Sequence, residues 1–143
     1  MNTPGIKIVI GDADSLISLC FKDDKFHQKV VTISEKLYKI GATVIFPNTA
    51  IAEAVTTLQR KLSRPSAAKL LVEEYKQGGF EVEYIGEEIM KLASDIFNPD
   101  GSKKNTFFDS IVAACAKKQK ADTVFSFDTW YKKQGFKLAS ELF

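Results

Sequence analysis

The sequence predicts an α/β protein, a three-layer α/β/α sandwich around a mostly parallel sheet of four to five strands. Short apolar runs alternate with longer segments of helical periodicity, and this alternation favours parallel strands joined by right-handed helical crossovers. Residues 1–143 are 45% hydrophobic and contain no linker, repeat or low-complexity tract. The chain therefore fits one domain with a single core.

The first strand is predicted at Ile6–Ile10, a nearly continuous apolar run of the kind that is buried on both faces of a sheet. A turn at Gly11–Asp14 leads into a short apolar helix that ends near Cys20. The next helix is predicted over 26–40, where apolar residues recur at helical spacing, and Gly41 is a typical residue just after a helix end.

The second strand is predicted at Thr43–Phe46. A helix over 48–62 follows it, with Asn48 or Thr49 as the N-cap, because both side chains can accept the hydrogen bond of a free backbone N–H. Another helix is predicted over 66–77 and is ended by two consecutive glycines.

The third strand is predicted at Phe80–Ile85, and its alternating character suggests a place nearer the edge of the sheet. Helices are then expected at Glu87–Phe97 and Thr106–Gln119. The fourth strand is predicted at Thr123–Phe127, and Phe136–Leu138 is a short fifth.

Composition excludes several classes of function. The apolar stretches are interrupted and fall far short of the roughly 20 residues that span a membrane, and no signal-peptide pattern is visible, so we expect a cytosolic protein. Cys20 and Cys115 lie on apolar helical faces without a CxxC motif, which is typical of buried reduced thiols. His27 is the only histidine, so a zinc site with two or more His or Cys ligands is nearly excluded, and a Ser-His-Asp triad has no supporting motif.

The net charge of +2 is unevenly distributed. Residues 81–100 are acidic, whereas residues 101–143 carry eight lysines against four acids. A basic C-terminal third can attract a polyanion such as a nucleic acid, but solvated helix faces produce the same count. Both interpretations stay open on charge alone.

Four acidic residues follow predicted strands or open predicted helices. Asp12 follows the first strand and Asp128 the fourth, whereas Glu53 and Asp109 lie in the early turns of helices. Because ligands of parallel sheets bind at the carboxyl edge, we expect these four side chains to converge there. Carboxylates are the oxygen ligands that Mg²⁺ and Mn²⁺ prefer. The sequence therefore predicts a metal site, with Asp14 as an unassigned fifth acid.

Each aspartate also has a purely structural interpretation. Asp12 or Asp14 could cap the helix that follows, although two acids one residue apart exceed what one cap needs. Asp109 has the spacing of a capping box with Thr106, and Asp128 could cap the next short helix.

For Glu53 the helical periodicity favours a solvated position, because this residue points away from the predicted buried stripe of its helix. That stripe is Ile51, Val55, Leu58 and Leu62.

Taken in order, these segments resemble the PIN-domain nucleases, and in size most of all the VapC-like toxins of type II toxin–antitoxin systems. The resemblance covers nearly the whole chain and is carried by Asp12–Ile17, Ile51–Glu53, Asp109–Ala114 and Ser126–Asp128. Asp14 departs from the family, where many members have Ser or Asn, so the number of metal ions stays open. The segment before Asp109 lacks the Trp or Arg of some toxins, which leaves the substrate open.

The resemblance implies a Mg²⁺- or Mn²⁺-dependent endoribonuclease in which Asp12, Glu53, Asp109 and Asp128 are the catalytic and metal-binding residues and Ser126 supports them. It also implies a homodimer and a small antitoxin partner. A two-metal pair would be about 3.5–4 Å apart and would activate water without a protein nucleophile. Single-stranded or looped RNA would reach such a recessed edge most easily. Backbone phosphates would meet four lysines: Lys103, Lys104, Lys132 and Lys133.

Three alternatives stay open. The chain could be a PIN-like nuclease of RNA processing without an antitoxin, or a PIN-like binding module that has lost catalysis. Asp12-x-Asp14 after the first strand is also the opening motif of haloacid-dehalogenase-like phosphatases, in which Asp12 would be the nucleophile and Asp14 the acid/base. No convincing paired-Asp motif follows the fourth strand, which argues against the phosphatase.

Overall fold

The computed structural model describes residues 8–143, so Ile6 and Lys7 of the predicted first strand lie outside the described residues. The strands are β1 (Ile8–Gly11), β2 (Thr43–Pro47), β3 (Glu81–Glu83), β4 (Thr123–Phe125) and β5 (Lys137–Leu138). The helices are α1 (Ala13–Cys20), α2 (His27–Lys39), α3 (Asn48–Thr56), α4 (Pro65–Lys76), α5 (Glu87–Ile96), α6 (Phe107–Lys118) and α7 (Trp130–Lys133). A π-helical turn (Thr57–Lys61) extends α3, and a 3₁₀ turn (Ala139–Glu141) follows β5.

The strands form one five-stranded sheet in the order β3-β2-β1-β4-β5, and every pairing is parallel. This confirms the predicted α/β class with its parallel sheet, and β3 lies at an edge as its alternating sequence indicated. β1 is central, with Ile10 opposite Ile45 of β2 on one side and Val124 of β4 on the other.

Alternate residues of the central strand face different helix layers, which makes the three-layer sandwich. Ile10 packs in a cluster with residues of α5, α6 and α7. Val9, its neighbour, packs with Val30, Ile33 and Leu37 of α2 on the opposite face. A further cluster joins α1, α3 and α4 to the side chains of β2. Both faces of the sheet are thus covered, as the continuous apolar strands require.

Gly11 ends β1 at a place where no side chain fits. A Cβ built on this residue would lie 2.1 Å from the ring of Phe46, which ends the apolar part of β2. The close approach lets the buried Phe46 ring cover the end of β1, and the chain then turns directly into Asp12 and α1.

The structure corrects the predicted cap of α3 and shows a change of geometry within this helix. Neither Asn48 nor Thr49 caps α3: the helix begins at Asn48, and the Asn48 side chain instead accepts a hydrogen bond from the Ile85 backbone N–H at 3.0 Å. The helix predicted over 48–62 also changes from α to π geometry at Thr57.

Among the helices of residues 8–143, none has the length and apolarity that a membrane crossing requires.

Candidate active site

A cavity of about 180 Å³ opens at the carboxyl edge of the sheet and is lined by five acidic side chains. They are Asp12, Asp14, Glu53, Asp109 and Asp128, and Ala13, Ile17 and Thr57 complete the wall. The structure thus brings together every acid that the sequence singled out, including the unassigned Asp14. Their roles in metal binding and catalysis stay predictions.

The fold places these acids from different directions. Asp12 follows β1 directly and is the N-cap of α1, and Asp128 comes three residues after β4. Asp109 lies in the first turn of α6. Glu53 belongs to α3, which packs against α1 and α6, so this side chain is half-buried at the cavity and not on a solvated face.

The hydroxyl of Tyr131 lies between two of the acids. Its hydroxyl donates to Asp12 Oδ2 at 2.6 Å and lies 3.4 Å from Asp109 Oδ1. The other oxygen of Asp12 accepts the Ala13 backbone N–H at 2.6 Å. Both aspartates and the tyrosine are buried, and Tyr131 has no exposed surface.

Asn105 makes a second bridge between acids. Its side-chain Nδ2 donates to Asp128 Oδ2 at 2.9 Å and to Asp109 Oδ2 at 3.4 Å. Asp109 Oδ2 also accepts the Thr106 backbone N–H at 3.0 Å, and Asp128 Oδ1 accepts the Trp130 backbone N–H at 2.9 Å. Both aspartates therefore stabilise a helix start and line the cavity.

Asp14 holds the segment after β4 in place. Its Oδ2 accepts the hydroxyl of Ser126 and the backbone N–H of Phe127, both at 2.8 Å. Ser126 Oγ in turn accepts the Asp128 backbone N–H at 3.0 Å, so Ser126 connects two of the acids. Asp14 Oδ1 is buried and accepts no hydrogen bond from residues 8–143.

The pKa values of the cavity acids are raised, because burial disfavours their charged forms and neighbouring carboxylates repel one another. Burial, with the charges of Asp14 and Asp109, raises the pKa of Asp12 well above its usual range. Burial is also the largest cause of the raised pKa values of three other acids. The pKa rises to about 6 for Asp14 and to about 7 for Glu53, and it is raised for Asp109 as well. Burial and the same acids raise the pKa of the Tyr131 phenol, so it stays a neutral donor.

The donor set fits a hard divalent cation in its chemistry. The lining residues supply carboxylate oxygens and include neither His nor Cys, and the buried Asp14 Oδ1 has capacity for a ligand. A cation would also offset the repulsion that raises the pKa values. Within residues 8–143, however, no three Asp, Glu, His or Cys side chains are already arranged around a point where they could hold a metal ion. The four aspartates accept hydrogen bonds from neutral donors, so binding an ion to several of the acids requires side-chain movements.

The sequence prediction missed three residues of this site. Tyr131 and Asn105 hydrogen-bond to the acids, and Thr57 lines the cavity at the start of the π-helical turn. Tyr131 lies three residues after Asp128 in the sequence but bonds to Asp12, 119 residues away, so local spacing carries no signal for this contact.

The predicted RNA-binding lysines lie in different surroundings. Lys103 and Lys104 are exposed in the loop just before Asn105, the residue that bonds to Asp109 and Asp128. Lys133 is exposed in α7. Lys132 pairs with Glu141 at 2.9 Å, which compensates its charge. Contact of these lysines with RNA stays a prediction.

Known proteins share features of this chain at the level of sequence and of fold. The sequence matches the PIN domain family over residues 9–137. VapC20 of Mycobacterium tuberculosis, a sarcin–ricin loop cleaving toxin, has a similar structure, with a TM-score of 0.75 at 18% identity over 90% of this chain and 95% of that one. A domain of a functionally unknown protein from Methanocaldococcus jannaschii matches with a TM-score of 0.46 at 18% identity, over 92% of this chain and 89% of that one. No curated protein matches the sequence.

Proposed function

Because the chain belongs to the PIN-domain family of nucleases, we propose that it is a metal-dependent endoribonuclease that hydrolyses RNA phosphodiester bonds. We further propose that it is the toxin of a toxin–antitoxin pair. The observation that carries the proposal is the meeting of five carboxylates from distant parts of the chain in one cavity at the carboxyl edge of the sheet. Buried like charges are costly, and a bound divalent cation is the simplest reason to assemble them.

In the proposed mechanism Mg²⁺ or Mn²⁺ would be held by Asp12, Glu53, Asp109 and Asp128. The bound cation would supply acidity to the attacking water and positive charge opposite the scissile phosphate. Ser126 orients this site, since it links Asp14 to the backbone of Asp128. No nucleophilic side chain is required from the cavity, and its lining among residues 8–143 includes no Ser, Cys or His.

The proposed substrate is single-stranded or looped RNA. An unpaired strand can bring its backbone to a recessed cavity, whereas a stiff duplex cannot do so without distortion. The exposed Lys103 and Lys104, in the loop just before Asn105, would contact phosphates as point charges. The fold similarity to VapC20 supports the toxin class. The RNA target of VapC20 is not carried over to this chain. We expect a cytosolic homodimer with a small antitoxin that covers the cavity.

The test is an RNA cleavage assay with Mg²⁺, Mn²⁺ or EDTA on three proteins. We expect the wild type to cleave in either metal and not in EDTA. The cleavage rate of Asp12→Asn should fall more than about 100-fold, because the substitution changes a proposed metal ligand and not merely a residue that hydrogen-bonds to a ligand. Asp95→Asn on the exposed side of α5 is the matched control and should cleave like the wild type.

Equal cleavage by Asp12→Asn and the control would refute the assignment of the site. Absence of cleavage of any RNA by the metal-loaded wild type would favour a binding module. Phosphatase activity that survives Glu53→Gln would favour the haloacid-dehalogenase-like alternative.

A further inference from the structure

The phenol of Tyr131 is in an unusual place for a core residue. Its ring is fully buried in the cluster beneath the sheet, and Trp130 packs edge-on against it at 5.1 Å between ring centroids. A buried tyrosine hydroxyl needs a hydrogen-bond partner, and here the atoms it meets are carboxylate oxygens of Asp12 and Asp109. A phenylalanine would fill the same space without the hydroxyl.

We propose that Tyr131 is a positioning residue of the metal site: its hydroxyl fixes the carboxylate of Asp12 and spaces it from Asp109. This inference rests on the proposed function, since it gives one residue a role in the same site. The hydroxyl has a single proton, and the 2.6 Å distance assigns that proton to Asp12 Oδ2. The 3.4 Å contact to Asp109 Oδ1 is too long to be a strong second bond.

The hydrogen bond leaves Asp12 able to bind a cation. Oδ1 accepts the Ala13 N–H and Oδ2 accepts the Tyr131 hydroxyl, so the orientation of the carboxylate is set at both oxygens. Each carboxylate oxygen has a further lone pair free for a ligand. If the hydroxyl were removed, Oδ2 would be a buried carboxylate oxygen without a donor, and the orientation of the carboxylate would be set at Oδ1 alone.

The same arrangement continues through the site. Three acids and two neutral donors alternate in a continuous row of contacts. The order is Asp12, Tyr131, Asp109, Asn105 and Asp128. Each neutral residue lies between two carboxylates and donates a hydrogen bond to at least one of them. Tyr131 is the buried one of the two, and the chain supplies no other hydroxyl in contact with the Asp12 carboxylate among residues 8–143.

The experiment measures Mn²⁺ binding without RNA, by the loss of the free-ion signal in electron paramagnetic resonance. The variants are Tyr131→Phe and, as the matched control, Tyr84→Phe, which removes an exposed hydroxyl bonded to Tyr75. We expect Tyr131→Phe to bind Mn²⁺ about 10-fold more weakly than the wild type, as is typical when an outer partner of a ligand is lost. The control should not change. Circular dichroism and urea unfolding in EDTA check that both variants fold.

A double-mutant cycle then asks whether the hydroxyl acts through Asp12. If it does, Tyr131→Phe should have little further effect on Mn²⁺ affinity in an Asp12→Asn background, whereas general damage to the core would add to the effect of Asp12→Asn. Additive effects would overturn the proposal. Unchanged or tighter Mn²⁺ binding by Tyr131→Phe would overturn it as well, and so would failure of this variant to fold, because the hydroxyl would then be needed for folding and not for the ion.

Failure of the inference can be told apart from failure of the proposed function. RNA cleavage together with equal Mn²⁺ affinity of the wild type and Tyr131→Phe would refute the positioning role and leave the nuclease intact. Weaker Mn²⁺ binding by Tyr131→Phe without any RNA cleavage would refute the nuclease and leave the positioning role intact. A wild type that binds no Mn²⁺ would overturn both.

Discussion

Asp14 gives the sharpest quantitative prediction. Ionisation of its buried carboxyl costs free energy, and a substitution can remove the charge without removing its hydrogen bonds. In the variant Asp14→Asn, the amide oxygen can still accept from Ser126 and Phe127, as Asp14 Oδ2 does. This substitution therefore removes the charge while it preserves the link to the segment after β4. In EDTA we expect the variant to be more stable than the wild type at pH 8.

The magnitude follows from the pKa of Asp14, which rises from 3.8 to about 6 in the folded protein. Each pKa unit is worth about 1.4 kcal/mol, so ionisation in the folded state costs up to about 3 kcal/mol. Asp14 keeps some contact with solvent at the cavity, and screening reduces the expected gain to about 1–3 kcal/mol.

The effect of Asp14→Asn on the free energy of unfolding depends on pH. A raised folded-state pKa means that the stability from the neutral carboxyl is fully present below the unfolded value of 3.8 and is lost as the pH rises through about 6. The advantage of Asp14→Asn should thus be small at pH 4 and complete at pH 8. Effects of the amide on packing do not vary with pH, so the difference between the two pH values isolates the charge.

The assay is urea unfolding of the wild type and Asp14→Asn in EDTA at pH 4 and pH 8, with Asp95→Asn as an exposed control. The difference in free energy of unfolding should grow with pH for Asp14→Asn and stay flat for the control. An equal difference at both pH values, or a less stable Asp14→Asn protein at pH 8, would refute the reasoning.

The remaining predictions concern the other acids. Asn105→Ala removes the donor that holds Asp128, and we expect RNA cleavage and Mn²⁺ affinity to fall about 10-fold, measured with the assays above; an unchanged Mn²⁺ affinity would contradict the bridging role. Because the pKa of Glu53 is raised to about 7 and a metal ligand must be ionised, apparent Mg²⁺ affinity should rise with pH between about 6 and 8. Glu53→Gln should bind more weakly and with a flatter pH profile, and an identical profile would exclude Glu53 as the titrating group.

Much of the fold could be predicted because strands and helices leave different signals in the sequence. β1 and β4 are apolar runs buried on both faces, and the segments between strands have helical periodicity. The predicted lengths of the strands are less accurate than their positions. β3 has only three residues, since it pairs with β2 alone and the register covers Ile45 to Pro47. The alternation of side chains continues beyond that pairing, so the sequence predicts a longer strand than the structure has.

The position of Glu53 could not be predicted from large apolar residues. The buried residues of α3 include Ala50 and Ala54 beside Ile51, and small side chains let the helix approach α1 and α6 closely. Glu53 therefore lies at a junction of helices, whereas a count of bulky residues places it toward solvent. The change to π geometry at Thr57 has no periodic signal at all, since it inserts one residue into a turn.

Helix capping and a position at the cavity are not alternatives in the structure. Asp109 accepts the backbone N–H of Thr106 and lines the cavity, and Asp128 does the same with Trp130. A carboxylate has two oxygens, so one can satisfy a helix start while the other faces a ligand. A capping pattern in a sequence is therefore no argument against a site.

The strand order has a consequence for when this site comes into existence. β1 lies between β2 and β4, and Tyr131 contacts Asp12 across 119 residues of sequence. During synthesis the N-terminal parts emerge first, so a growing chain carries Asp12 and Glu53 long before Asp109, Asp128 and Tyr131 have been made. The acidic cavity cannot assemble until residue 131 has been translated and β4 has docked beside β1. If the chain cuts RNA as proposed, it would be inert until that point of its own synthesis.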